Sequence, residues 1–398
     1  MIGASEFDQL RNRNREPLRV LMGMPDRESL GGPAACEPPF VAALREAGVE
    51  VAEETYVYGE RLGGTSLGQR VRRVLGTARQ LRRVLRAGRF DIVHLNTSFD
   101  TMALLRDAAT LQLLRPTRAK IFLKFHGSDA ALFETKRAPI RALVRFVLAR
   151  ADGVGLLSSE ERENFLRAGV DARKLFVVKN VVESDASAGV ESSEHSDAPR
   201  GAQLAAKLDA PPETPLLLFV ARFIPAKGLS DVIRACAVLR DGGREFRLLC
   251  LGDGEARGEA EAEVARLKLE GRVRFFGYVP EAETREFYAG GTMLLFPTYH
   301  YEGFPMVIFK SVAAGLPIIT TRIRAAADYL REPDNCLWVE PKNPEMLAAK
   351  IISLLDQPKL REAMSESNRR LATQFSAETV TREYVEAYRQ IINARSSL

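Results

Sequence analysis

The chain has little cysteine: four residues in 398, Cys36, Cys236, Cys250 and Cys336, scattered and without a Cys-x-x-Cys spacing. That pattern excludes a cysteine zinc site and a disulfide framework, and four reduced, mostly buried thiols are expected. No apolar run approaches the ~20 residues that span a bilayer, and no apolar signal-peptide core follows Met1. The expected location is cytoplasmic. The arginines are not interleaved with aromatics or set in a nucleic-acid motif, so no nucleic-acid partner is expected.

What is present is an ordinary globular composition, 46% hydrophobic and 27% charged, in a chain long enough for about two domains. Residues 1–16 are polar and aperiodic and read as a disordered leader. From Leu18, apolar runs alternate with helical stretches, and 18–24, 91–95, 120–125, 153–157 and 175–178 read as strands. Residues 183–214, polar and ending near Pro211-Pro212, interrupt the pattern and read as a linker or mobile loop. The alternation resumes with strands at 216–221, 247–251, 273–276, 293–296, 318–320 and 336–339. Buried runs between helices argue for doubly wound parallel sheets. The expected fold is α/β, with two Rossmann-like domains, 17–182 and 215–375, facing a cleft beyond the carboxyl ends of their strands. Val380, Tyr384, Tyr388, Ile391 and Ile392 form an apolar stripe that predicts a helix within 376–398.

The richest stretch runs Phe296-Pro-Thr-Tyr-His-Tyr-Glu-Gly-Phe-Pro-Met306, where a strand ends, Glu302 and Gly303 follow, and a helix opens near Pro305. A carboxylate beside free amides at a helix start suits a sugar joined to a phosphate. Arg222 follows the strand 216–221, and Lys227 begins the next helical stretch beside Gly228. Alone, such a pair reads as solvated surface charge. Its position ahead of the Glu302 segment favours a grip on a diphosphate. Gly252-Asp253-Gly254, with Gly258 beyond, has its third glycine one residue late for a dinucleotide fingerprint and reads as a tight turn.

These stretches resemble the family 4 glycosyltransferases, which have the two-domain GT-B fold, and the resemblance covers about 18–392. It implies a retaining, metal-independent transfer of a sugar from a nucleotide-diphosphate donor, by default a UDP-sugar, to an acceptor hydroxyl. It implies no other cofactor, and products in cell-surface polysaccharide, lipopolysaccharide or glycolipid. No Asp-x-Asp pair, which other glycosyltransferases use to hold a metal, occurs in the chain. The catalytic set implied is His126, Arg222, Lys227 and Glu302. Glu302 and His126 would orient the sugar, while Arg222 and Lys227 stabilise the leaving diphosphate. Donor contacts are implied for Gly31, Gly32, Gly252, Gly254, Gly303, Phe304, Pro305 and Met306, with Gly277, Tyr278 and Val279 at the base. His94 and Asn96 would meet the acceptor in the first domain, to which the terminal helix would return.

One position departs from the family. A second Glu, eight residues after the first, commonly holds the ribose, and Lys310 stands there instead. A cation cannot accept hydrogen bonds from ribose hydroxyls. Lys310 then donates to the ribose or a phosphate, which is the favoured reading, or the nucleotide sits differently, or activity is weakened. A non-catalytic sugar-nucleotide-binding partner subunit is the alternative. A nucleotide-dependent oxidoreductase or epimerase is the more distant one.

Residues 68–91 carry Arg70, Arg72, Arg73, Arg79, Arg82, Arg83, Arg86 and Arg89 around a stripe of Val71, Val74, Leu75, Ala78, Leu81 and Leu85. This predicts a basic amphipathic helix. Either the stripe faces the core and the arginines are solvated, or the helix meets an anionic membrane on its inner face, next to a lipid-linked or glycan acceptor.

Overall fold

The computed structural model describes residues 17–26, 32–56, 66–183 and 200–394, so the leader, Gly31 and residues 184–199 lie outside it. Two compact units form, one from the chain up to Val181 together with Ala377 onward, the other from Val182–Ser376.

In the first unit the strands are β1 (Arg19–Met24), β2 (Glu50–Thr55), β3 (Ile92–Phe99), β4 (Lys120–Ser128), β5 (Gly153–Leu156) and β6 (Leu175–Val177). Between them run α1 (Gly32–Glu46), α2 (Leu67–Ala87), α3 (Thr101–Leu113), α4 (Ala131–Glu134), α5 (Ala138–Arg150) and α6 (Ser159–Arg167). The sheet is parallel, in the order β2-β1-β3-β4-β5-β6. β1, β3, β4 and β5 are buried along nearly their whole length, which is why they read as unbroken apolar runs. β2 was not legible in the sequence. Its run Glu-Val-Ala-Glu-Glu-Thr lies at the sheet edge, where half the side chains meet water.

The second unit opens with α7 (Arg200–Lys207), then β7 (Leu216–Val220), α8 (Leu229–Asp241), β8 (Arg247–Leu251), α9 (Arg257–Arg266), β9 (Val273–Gly277) and α10 (Glu281–Gly290). It continues through β10 (Met293–Phe296), α11 (Met306–Ala314), β11 (Ile318–Thr320), α12 (Arg324–Tyr329), β12 (Leu337–Trp338), α13 (Pro344–Asp356) and α14 (Pro358–Ala372). Its parallel sheet has the order β12-β11-β10-β7-β8-β9. Part of the stretch read as linker is therefore structured. α7 packs on α10 and buries Leu204 and Ala205, a short apolar face hidden by the polar composition around it.

α15 (Ala377–Asn393) belongs to the first unit and packs on α1 and β4. Val380, Tyr384, Tyr388 and Ile391 are buried there, the stripe expected from their spacing. α2 buries Ala78 and Leu81 in its own unit's core, so its apolar stripe is turned inward except at Val71, which is exposed, and its exposed face carries arginine. Among the described residues no helix is long and apolar enough to cross a membrane.

Candidate functional site

In the second unit the strand order changes direction between β10 and β7, and in an open parallel sheet the carboxyl ends at such a point are free of crossing helices. The chain leaves β7 into Arg222 and Lys227, and leaves β10 into His300 and Glu302. Lys227 sits on a one-turn 3-10 helix, Pro225–Lys227. That turn is bound to the neighbouring loop. Tyr299 N donates to Ala226 O at 2.9 Å, Thr298 Oγ1 to the same carbonyl at 3.2 Å, and Tyr299 Oη to Pro225 O at 2.8 Å. Gly228 closes the turn with φ +82°, where an added Cβ would stand 2.6 Å from Pro297 O, so only glycine permits this approach. Lys227 Nζ consequently meets Glu302 Oε1, with both side chains mostly buried.

Glu302 leads into α11, whose first turn has no side-chain cap. Ile308 N donates to Pro305 O at 2.9 Å, and an uncapped helix start of this kind attracts anions through its dipole. The Phe304 side chain faces inward. Its ring stacks on Phe309 at 3.8 Å and packs against Phe375, so it fixes the start of α11 from inside the core. Arg222 is exposed beside this group.

Gly252 and Gly254 support Arg222 from behind. A Cβ at Gly252 would stand 1.8 Å from Ala221 O, and Gly252 has φ +129°. The turn therefore lies flat against residues 221–223, with Phe223 N donating to Asp253 O at 2.8 Å. Gly277 ends β9, and Tyr278 and Val279 follow it on the same edge, two strands from β7, with Tyr278 exposed. Lys310 is engaged: its ammonium meets Glu281 at the start of α10, so a neutral pair occupies the position where the family carries a carboxylate.

His300 was missed in the sequence. Its Nδ1 is buried without a hydrogen-bond partner among the described residues. Burial and the neighbouring cations Lys227, Arg222 and Arg324 push its pKa down against the pull of Glu302, so the imidazole is neutral near pH 7. A lone histidine in a tyrosine-rich loop gives no sequence signal for this. Only the fold brings the cations around it.

In the first unit, Gly32 opens α1, His94 and Asn96 lie inside β3 rather than at its end, and His126 lies in the carboxyl-terminal half of β4. The two proposed acceptor residues are corrected. His94 is fully buried among Phe40, Phe122, Tyr384 and Tyr388, and its Nδ1 pairs with Tyr388 Oη at 2.5 Å. Asn96 is 1% exposed and donates from Nδ2 to Gly23 O and Glu37 Oε2, both at 3.1 Å. Neither side chain reaches solvent, because α1 and α15 cover this part of β3.

What Asn96 holds is His126. Its Nε2 lies 2.9 Å from Asn96 Oδ1 and 3.3 Å from Glu37 Oε1. Asn96 spends its amide hydrogens on Gly23 and Glu37, so its Oδ1 accepts and His126 Nε2 carries the proton. Burial, then the Lys124 charge, hold the His126 pKa below the usual value, with Glu37 opposing. A neutral imidazole in a fixed tautomer results. Glu37 and Lys124 themselves form a buried pair at 2.5 Å that motif reading did not find. Burial raises the Glu37 pKa, yet the Lys124 charge and the His126 hydrogen bond and charge outweigh it and hold the carboxyl well below its usual range.

Cys36, Glu37 and His126 bring three ligand-type atoms within 4.8 Å of one another. The chemistry does not suit a cation: burial, then Glu37, keep the Cys36 thiol protonated, and the Lys124 ammonium already compensates Glu37.

Two family models cover most of the chain, "Glycosyl transferase 4-like domain" over residues 20–181 and "Glycosyl transferases group 1" over residues 202–371. The chain belongs to the group 1 glycosyltransferases. Among curated relatives it is similar to the lipopolysaccharide core biosynthesis glycosyltransferase LpsE of Rhizobium meliloti, 32% identical over 182 residues, 46% of this chain and 52% of the relative. The chain spans about half the length of the curated relatives it matches. A glycosyltransferase of Rickettsia africae has the same fold, with TM-score 0.74 and 18% identity over 95% of this chain and all of the other. Anabaena Alr3699/HepE, solved with UDP-glucose, gives 0.70 and 18% over 93% of this chain and 98% of its own. The fold of this family member is the two-domain α/β GT-B fold.

Proposed function

We propose that the protein is a retaining, metal-independent glycosyltransferase that takes a sugar from a nucleotide diphosphate, by default UDP, and places it on a hydroxyl of a cell-surface polysaccharide, lipopolysaccharide or glycolipid. The observation that carries this reading is the meeting of Lys227 and Glu302 at the β7/β10 switch point, with Arg222 leaving the same strand end and the uncapped start of α11 following Glu302. Cations and amide dipoles suit a leaving diphosphate, and a carboxylate held by lysine suits sugar hydroxyls. Gly277, Tyr278 and Val279, two strands along the same edge, are suited to the base. The UDP-glucose bound to the Anabaena neighbour, and the lipopolysaccharide role named for LpsE, support the donor class and the product class. His126, neutral and held through Nε2 by Asn96, is proposed to orient a sugar hydroxyl. The first unit would take the acceptor, and the arginine face of α2 would meet an anionic membrane surface at the cytoplasmic side.

The test begins with a thermal-shift screen of nucleotide sugars, followed by hydrolysis and transfer assays with the best donor, with and without chelator. Glu302→Ala and Lys227→Ala are each expected to lower kcat by roughly 10²–10³ with the fold intact. Near-normal turnover in both, or activity lost to chelator and restored by magnesium, rejects the reading.

A further inference from the structure

Arg324 is the residue of the second unit with the least ordinary placement. It opens α12 directly after β11, is 5% exposed, and has φ +30°, in the left-handed region that an arginine adopts only at a cost. A buried charged residue in a strained conformation needs an explanation.

Its neighbours supply one. β11 lies beside β10, which lies beside β7, so three adjacent strand ends lead into Arg324, into His300 and Glu302, and into Arg222 and Lys227. The first two ends are tied together: Thr321 Oγ1 donates to Thr298 O, and Thr320 Oγ1 to Phe296 O at 2.8 Å. The Arg324 guanidinium lies 5.5 Å from the ring centre of Tyr301, the residue before Glu302. Arg222, Lys227 and Arg324 all act electrostatically on His300. Neighbouring parallel strands are about 4.8 Å apart, so the backbones of β7 and β11 run roughly 10 Å apart on either side of β10.

We infer that Arg324 is a second guanidinium anchor for the donor's diphosphate, gripping it from the β11 side while Arg222 grips it from the β7 side. The inference rests on the proposed donor site and adds a residue to it. Lys227 is shared with Glu302, and an ammonium acts as a point charge. Two guanidinium forks offer paired N–H donors to the phosphate oxygens, and the strained backbone at Arg324 holds one fork in place before ligand arrives.

Calorimetric titration of the full chain with UDP and with UMP tests this, using wild type, Arg324→Gly and Arg324→Lys. Wild type is expected to prefer the diphosphate. Arg324→Gly should weaken UDP by about 10- to 100-fold and UMP much less, so that the preference collapses. Arg324→Lys, which keeps the charge and loses the fork, should fall between. A purely structural arginine would lower the affinity for both ligands in proportion, or for neither, and an unchanged UDP-to-UMP ratio in both variants overturns the inference. If Arg324→Gly does not fold by circular dichroism, the ratio in Arg324→Lys decides. A wild-type chain that binds none of UDP, GDP, ADP, CDP or dTDP removes the donor site itself, a different failure from an unmoved ratio.

Discussion

At the scale of single residues, the buried network of the first unit makes stability depend on pH. Burial lowers the His94 pKa to about 3, and the His126 pKa also lies below its usual value. The unfolded chain therefore takes up these protons near pH 6.5 while the folded chain resists them, at His94 down to about pH 3. The stabilisation is complete above about pH 6.5 and that from His94 is lost as the pH falls toward 3, at up to ~1.4 kcal/mol per pH unit, with His126 adding a loss in the same direction. Glu37, whose carboxyl is held low, adds a loss in the same direction below the usual Glu range. The thermal midpoint should fall steadily from pH 7 to pH 5, and His94→Gln should flatten that slope. A level wild-type profile across this range would contradict the network. None of this was visible in the motifs, because Glu37 and Lys124 are 87 positions apart and meet only when α1 is laid over the sheet.

At the scale of elements, α2 separates two uses of one helix. Its inward stripe, with Ala78 and Leu81 buried, accounts for the amphipathic pattern without a membrane. The outward face keeps Arg72, Arg79, Arg83 and Arg86 exposed, while Arg73 is taken up by Asp26 at 2.8 Å. Val71 is the stripe's exposed member, so the attraction this helix offers a membrane is mainly electrostatic, at about 1 kcal/mol per cation near the headgroups. Sedimentation with vesicles containing anionic lipid should carry the protein down at low salt and release it as salt rises. Reversing Arg72, Arg79, Arg83 and Arg86 to Glu should abolish the effect, and equal, negligible binding to anionic and neutral vesicles would remove the proposal. The helix was legible from spacing because the same side-chain period serves core and surface. Which of the two faces did the burying was not.

At the scale of the whole molecule, the second unit is one continuous stretch, Val182–Ser376, and the first is closed by a helix from the far end of the chain. Tyr384 and Tyr388 on α15 are fully buried against α1 and the sheet, so removing them opens the core of a unit more than two hundred residues earlier. A chain ending at Ser376 should keep the thermal transition of the second unit and lose that of the first, and residues 182–376 expressed alone should unfold cooperatively. Failure of the isolated segment to fold, by circular dichroism and calorimetry, would show that the units are not independent in this sense.

The sequence by itself determined the repeating strand-and-helix alternation, the division into two α/β halves, the terminal helix, and the placing of Arg222, Lys227 and Glu302 just beyond strands. These are local matters, set by apolar run length and by residues a few positions apart. Strand order was decided only by the tertiary structure, and with it the meeting of Lys227 with Glu302, the gathering of three cations around His300, and the burial of His94 and Asn96. Side chains separated by dozens of residues have no periodicity that links them; their contact depends on which strands become neighbours and which helices cover them.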